Sequence, residues 1–339
     1  MIRRRSAAAL LALAAAALVA AGLSVFMGPS RIPMGEVVAA ILGRTAPEGA
    51  LAIVTEVRLP RTVMGACVGA LLATAGVILQ GFLRNPLAEP YLLGVSSGAI
   101  LAVSLMIAAG LPLVVHGVYV LPFAAFVGAV AALVLVYSLA QARGRLNVTT
   151  LILAGVVVSA VLSAVVMLIA SLSRDRYFEI MAWLMGNLQP LTKGAETWTA
   201  VYTVAGIVLA WSQARDLNAL LLGEEEAASL GVRVERTKRV LFVLSALLTG
   251  VAVSVSGMIG FVGLVGPHFA RLLLGPDHRR LIPGAALAGA AMVMLADLAG
   301  RVVVAPAELP VGTVTALVGG PFFLILLLRH AREVSGRRR

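Results

Sequence analysis

The chain has 339 residues, of which 60% are hydrophobic and 13% charged, with a net charge of +11. Apolar residues in that proportion, spread along the whole length, exclude a soluble domain and a single-anchor protein. The positive charge does not indicate nucleic acid, because the basic residues stand at the ends of apolar runs and aromatic residues make up only 5% of the chain.

Apolar runs approaching the roughly 20 residues that carry a helix across about 30 Å of hydrocarbon predict an all-α membrane protein; barrel strands would be half as long and alternating. The N-terminal MIRRRSAAALLALAAAALVAAGLSVFMG has the basic start and apolar run of a signal peptide, but 6–27 is long enough to span and is read as a retained first helix. Breaks at charges, Pro and Gly place further transmembrane helices near 62–82, 91–110, 118–140, 148–172, 196–212, 239–257, 261–274, 281–300 and 312–329, about ten in all. The eighth is short and Gly-rich, which marks an irregular segment. Two connecting stretches read as interfacial helices. PMGEVVAAILG sets Met34, Val37, Val38, Ile41 and Leu42 on one face, and 174–190 carries Tyr177 and Trp183 for the headgroup zone.

With both termini cytoplasmic, nineteen of the 27 Lys and Arg residues fall on inner segments, among them Arg84, Arg143, Lys238, Arg279 and the tail arginines, which satisfies the positive-inside bias. The longest inner loop, 213–238, contains Glu224, Glu225 and Glu226 in the first turn of a short helix ended by Gly231. That helix suits docking onto another protein or a plain solvated loop. An even number of spans inverts any repeat displaced by five, and the second to fifth and seventh to tenth helices form a weak inverted repeat. Their opening stretches, GALLATAGVILQGFLRNPLAEP and ALLTGVAVSVSGMIGFVGLVGPHFAR, each run from helix into a Gly/Pro interruption. Paired interruptions of this kind point to a transport pathway.

Ion-driven carriers keep Asp, Glu or His at membrane depth. Here the long runs are nearly free of them: Asp297 stands near the outer end of the ninth span, and His268, read as structural, beside Pro267 in the eighth. No G-x-x-x-x-G-K-[ST] occurs, so a nucleotide-driven motor must be a partner chain. An ion-coupled secondary transporter is the alternative reading. An intramembrane enzyme finds no Ser/His pair, carboxylate pair or metal-ligand cluster, and Cys67 reads as a passive buried thiol. Gly65, Gly69, Gly76, Gly155, Ser159 and Ser163 read first as close helix-packing positions.

Four stretches spread from near 58 to near 328 carry a resemblance: RLPRTVMGACVGALLATAGVILQGFLRNPLAEPYLLGVSSGA, GEEEAASLGVRVERTKR, SGMIGFVGLVGPHFARLLLGPDHRRLIPGA and ADLAGRVVVAPAELPVGTVTALVGGPFFLILL. Together they resemble the FecCD-type permeases of type II ABC importers for iron-siderophore complexes, haem and cobalamin. The resemblance implies one permease domain over 1–339 in the bacterial inner membrane, working as a homodimer, catalysing no bond chemistry and binding no metal or cofactor itself. Two copies of a separate ATPase, holding ATP and Mg, would sit beneath it and a periplasmic binding protein above. A metal chelate would cross by ATP-driven alternating access.

It further implies that Glu224, Glu225, Glu226, Ala227, Ala228, Leu230 and Gly231 fit a groove on the ATPase. Asn85 and Leu87 of RNPLAEP would close the cytoplasmic mouth together with Val148 and Thr149, although Val148 stands where the family pattern carries a small hydroxyl residue. Arg58, Arg61 and Arg301 would dock carboxylates of the binding protein, a task that bidentate guanidinium groups suit. From the residues alone, RNPLAEP is also a turn forced by Pro86 and Pro90. The outer arginines also read as lipid-phosphate contacts or an internal Asp297–Arg301 pair at i, i+4. Arg61 in a first helical turn opposes the dipole by roughly 0.3 to 1 kcal/mol, so something must compensate.

Overall fold

The computed structural model describes residues 2–115, 118–142, 145–188 and 194–336; Arg143, Lys193 and Arg337 to Arg339 lie outside the described residues. The chain opens with α1 (Ile2–Phe26), α2 (Met34–Ile41) and α3 (Glu48–Ala52), which passes through a π-helical turn, Ile53–Arg58, into α4 (Leu59–Phe82). A 3-10 turn, Pro90–Leu93, leads into α5 (Val95–Ala108), followed by α6 (Leu121–Ala140), α7 (Val148–Leu172), α8 (Tyr177–Leu184) and α9 (Ala195–Ser212). Then come α10 (Ala214–Leu220), α11 (Glu224–Ser229), α12 (Val234–Ser256), α13 (Val262–Leu274), α14 (His278–Val302) and α15 (Val311–Gly336). The only strands among the described residues are two hairpin ladders of two residues a side. The protein is an all-α membrane protein.

Each predicted run is met by a helix: α1, α4, α5, α6, α7, α9, α12, α13, α14 and α15. Among the described residues, six helical stretches, those ending in α1, α4, α6, α7, α12 and α14, are long and apolar enough to cross a membrane, whereas α5, α13 and the apolar part of α15 are shorter. The second predicted span starts earlier than its residue 62, because helix continues over Glu48–Phe82. Pro60 would clash with the carbonyl four residues back in a regular helix, and the π turn, with Leu59 N–H on Val54 O, widens the backbone at that point. The amphipathic face expected of α2 is divided: Val37 turns inward with Ala40 against Val25 and Val54, while Met34, Val38, Ile41 and Leu42 stay exposed.

Helix α4 is the axis of the bundle, buried almost without interruption from Met64 to Phe82. It packs against α9, α12, α13 and α14. Its crossing with α14 is a backbone contact, since a Cβ on Gly69 would strike the Gly289 carbonyl and a Cβ on Gly289 the Gly69 carbonyl. Between apolar helices in lipid, small residues are what allow this approach and the dispersion contacts it brings. Helix α1 lies along α14, with Ala17 and Ala20 against Ala286 and Ala290, and Arg280 donates to Ser6 Oγ at 2.6 Å. The first helix is thereby part of the bundle.

These contacts define two ends. One gathers the start of α1, helices α10 and α11, the start of α14 and the link between α4 and α5. The other gathers the end of α1, the start of α4 and the end of α14.

Candidate functional site

The two Gly/Pro interruptions that the sequence places in separate halves meet in space. After α4, Arg84 N–H bonds Gly81 O at 3.3 Å and Asn85 N–H bonds Gln80 O at 3.1 Å, with Arg84 in the left-handed region at φ 50°. This is the Schellman closure of a helix end, with Arg84 where glycine is usual. Asn85 Oδ1 then accepts from Leu87 N–H at 3.0 Å, and Ala88 N–H bonds Asn85 O at 3.1 Å, so Asn85 builds the turn. Pro90 forces Glu89 into extended backbone, and the 3-10 turn follows.

In the second half, α12 stops at Gly257 (φ 66°, ψ −157°), a conformation open to glycine, and α13 restarts after Phe261 (φ 66°). Across the gap, Glu89 Oε1 accepts from Phe261 N–H at 2.6 Å. Tyr91 Oη donates to Ile259 O at 2.8 Å and accepts from Ile259 N–H at 2.9 Å. Gln80 completes the clasp: its Nε2 lies 3.3 Å from Gly263 O and its Oε1 accepts from Arg271 Nη2 at 2.8 Å. Membrane-depth backbone needs internal partners, and here the first break supplies them to the second.

The sequence-predicted gate residues fall at this end of the bundle. Asn85 is exposed and Leu87 half-buried in the link; Val148 is half-buried and Thr149 exposed in the first turn of α7, which Asn147 caps by accepting from Thr150 N–H at 3.0 Å. Gly155, two turns further along α7, lies against the Leu92 carbonyl, which puts Val148 about 10 Å of helix from the 3-10 turn.

Helix α11 lies beside the link. Gly231 N–H bonds Ala228 O at 2.9 Å and Val232 N–H bonds Ala227 O at 3.0 Å, so Gly231 closes the helix as its position predicts. Ala227 is buried, while Glu225, Glu226, Ala228 and Leu230 are exposed, as are Leu221 and Leu222 just before. Glu224 is not free: Lys238 Nζ stands 2.7 Å from one carboxylate oxygen and Arg84 Nη2 3.7 Å from the other. Lys238, itself buried, also pairs with Glu235 at 3.3 Å. On the other flank, Asn218 of α10 donates to Asp277 Oδ1 at 2.7 Å, and its Oδ1 accepts from His278 N–H at 3.0 Å. Asp277 is held below the usual carboxylate range: burial opposes ionisation, but the Asn218 bond, the Arg279 amide and the charges of Arg280 and Arg279 outweigh it.

The outer arginines lie inside the described structure. Expected to face a docking protein, Arg58, Arg61 and Arg301 are instead buried, at 2%, 3% and 2% exposure. Arg58 bonds Val25 O at 3.0 Å, Phe26 O at 3.2 Å and Ser30 O, which places its charge on the C-terminal carbonyls of α1, the negative end of that helix dipole. Arg61 donates to Asp297 at 2.8 Å and forms an ion pair with Glu308 at 2.9 Å. Arg301 stands 2.9 Å from the other Asp297 oxygen, an ion pair poorly aligned for a hydrogen bond, and donates to Ser24 Oγ at 2.8 Å. The internal Asp297–Arg301 pair is therefore present, and Asp297 and Glu308 compensate Arg61. These bonds tie the three guanidinium groups to the end of α1, the end of α14 and the Glu308 segment that follows it.

Sequence reasoning did not assign Glu89, Tyr91, Gln80 and Lys238 to these contacts. The signal for the first two was available in retrospect: a carboxylate and a phenol flanking Pro90 have no reason to stand in an apolar chain unless free backbone groups need them. His268, by contrast, packs edge-on against Phe322 with ring centroids 5.8 Å apart.

A bundle of apolar helices with two facing breaks and a polar helix at one end is a membrane transport permease. The FecCD transport family model matches residues 15–329, and the chain belongs to that family. The hemin transport system permease protein HmuU of Yersinia pestis is 44% identical over 288 residues, covering 83% of this chain and 84% of the relative. The cobalamin import system permease protein BtuC of Halobacterium salinarum is 46% identical over 288 residues, covering 85% and 76%. A solved inward-facing conformation of a metal-chelate type ABC transporter superposes with a TM-score of 0.80 at 32% identity, covering 95% of this chain and 99% of that one.

Proposed function

We propose that this chain is the membrane-spanning subunit of a binding-protein-dependent ABC importer that carries a metal chelate of the siderophore, haem or cobalamin kind into the cytoplasm. Two copies would enclose the path, and two separate ATPase subunits, holding ATP and Mg, would drive alternating access. Relatives named for hemin and cobalamin transport support the cargo class. The α11 end would face the cytoplasm, with both termini on that side, and the opposite end would face the binding protein.

One observation carries the coupling: α11 exposes Glu225, Glu226, Ala228 and Leu230 to a partner while its Glu224 holds the link that contains Asn85 and Leu87. The exposed face is the ATPase footprint. Asn85 and Leu87, with Val148 and Thr149, form the inner gate: Asn85 shapes the turn and Leu87 supplies an apolar plug. Arg58, Arg61 and Arg301 act as ties among α1, α4 and α14, and binding-protein contacts fall to exposed groups at that end.

Reconstitution tests this reading. In vesicles containing this chain and its ATPase, uphill uptake requires ATP; uphill uptake by this chain without any ATPase, driven by an ion gradient, would overturn it.

A further inference from the structure

We propose that residues 84–91 form a strut that ties α11 to the α12–α13 break, with Arg84 and Glu89 as its attachment points. The inference rests on the importer reading and says how motion at the ATPase footprint reaches the second half of the bundle. Neither residue would touch cargo; both are positioning residues.

Both attachments are seen. Arg84 pairs with Glu224 at 3.7 Å, and Glu224 is itself anchored on buried Lys238 at 2.7 Å. Glu89 accepts from Phe261 N–H at 2.6 Å, with Tyr91 making two bonds to Ile259 beside it. Between these points the chain is braced. Pro86 and Pro90 restrict its backbone, Asn85 closes one turn and Leu92 N–H bonds Glu89 O at 3.1 Å. Pro90 also sits against the second half, where a Cβ on Gly263 would lie 2.5 Å from its Cδ.

Backbone conformation argues independently. Arg84 and Phe261 are the two non-glycine residues with positive φ among the described residues, at 50° and 66°. They stand at the two ends of the proposed strut, one beside α11 and one in the break. A helix closure of this kind favours glycine, as α11 shows with Gly231, so arginine at position 84 is kept against its backbone preference. Strain of that sort persists where the side chain has a use.

Satisfaction of the break gives the direction of force. Tyr91 and Glu89 take the amides of Ile259 and Phe261, which no helix partners. Were the link to move away from the break, both would be stranded in an apolar bundle. Link and break therefore move together.

The test uses the ATPase complex in nanodiscs, with Cys67→Ala and a reporter cysteine, Met258→Cys, in the break. The probe is the labelling rate of a water-soluble maleimide with and without ATP plus vanadate. With the link intact, nucleotide changes the rate. Arg84→Gly, which removes an exposed ion pair, should shrink that change about threefold, Glu89→Ala, which strands a buried amide, about tenfold, and Glu89→Gln, which keeps an acceptor oxygen, should restore part of the latter. Arg84→Gly also relieves the helix closure, so its thermal midpoint should hold or rise, which separates lost transmission from misfolding. A full nucleotide response in Arg84→Gly and Glu89→Ala overturns the strut, as does unfolding of Arg84→Gly. Absence of any response in the intact-link protein overturns the importer reading itself.

Discussion

Replacing Asp297 by Ala tests whether the outer arginines are held internally. Asp297 is 1% exposed and meets two guanidinium groups, Arg61 at 2.8 Å and Arg301 at 2.9 Å. Removing one partner of a buried ion pair costs about 3 to 5 kcal/mol, because a charge is left without its counter-ion in a medium that solvates it poorly. Two guanidinium groups lose a partner here, but Arg61 keeps Glu308 and Arg301 keeps Ser24, so the expected loss lies at the lower end, about 3 kcal/mol. The half-exposed Glu308 should matter less, with Glu308→Ala costing below about 1 kcal/mol. The assay is reversible unfolding of the detergent-solubilised protein across a double-mutant cycle. Asp297→Ala combined with Arg301→Met should cost less than the sum of the single changes by at least about 1 kcal/mol, since the double change leaves no charge at 301 to be stranded and Arg61 keeps Glu308. A loss below about 1 kcal/mol for Asp297→Ala, with additive behaviour in the cycle, would refute the reasoning and return the arginines to a role at the surface.

The α4–α14 crossing predicts that Gly69→Leu or Gly289→Val abolishes folded, monodisperse protein in size-exclusion chromatography, because a side chain there meets backbone that cannot yield. Leu230→Asp together with Leu222→Asp should weaken assembly with the ATPase at least tenfold in a pull-down titration while leaving the thermal midpoint within about 2 °C, since both side chains are exposed. Asp277, with its folded-state pKa lowered, adds stability that is fully present above its unfolded value of about 4 and is lost as pH falls through the folded value. Asp277→Asn should therefore flatten the decline of the unfolding midpoint below about pH 4 and change little at pH 7 beyond a constant offset.

The helices were legible because hydrophobic run length and charge placement are local properties, and each predicted run is met by a helix. Part of one end was legible for the same reason: of the segments grouped by their basic residues, the start of α1, the α4–α5 link, the 213–238 loop and the start of α14 are drawn together through Ser6, Arg280, Asn218, Glu224 and Arg84. What the chain does not display locally is which polar group answers which. Arg58 looked outward because its neighbours in sequence offer no acceptor, yet the carbonyls that take it belong to α1, about thirty residues earlier. Asp297 answered Arg61 from 236 positions away, where spacing rules say nothing. The interruptions show the same limit from the other side. Each break was visible as Gly and Pro in an apolar run, and each carries backbone groups that lipid cannot satisfy. Their meeting follows from that shared need more than from their weak sequence likeness: one break brings spare acceptors in Glu89 and Tyr91, the other brings spare amides at Ile259 and Phe261, and the bundle is arranged so that they coincide.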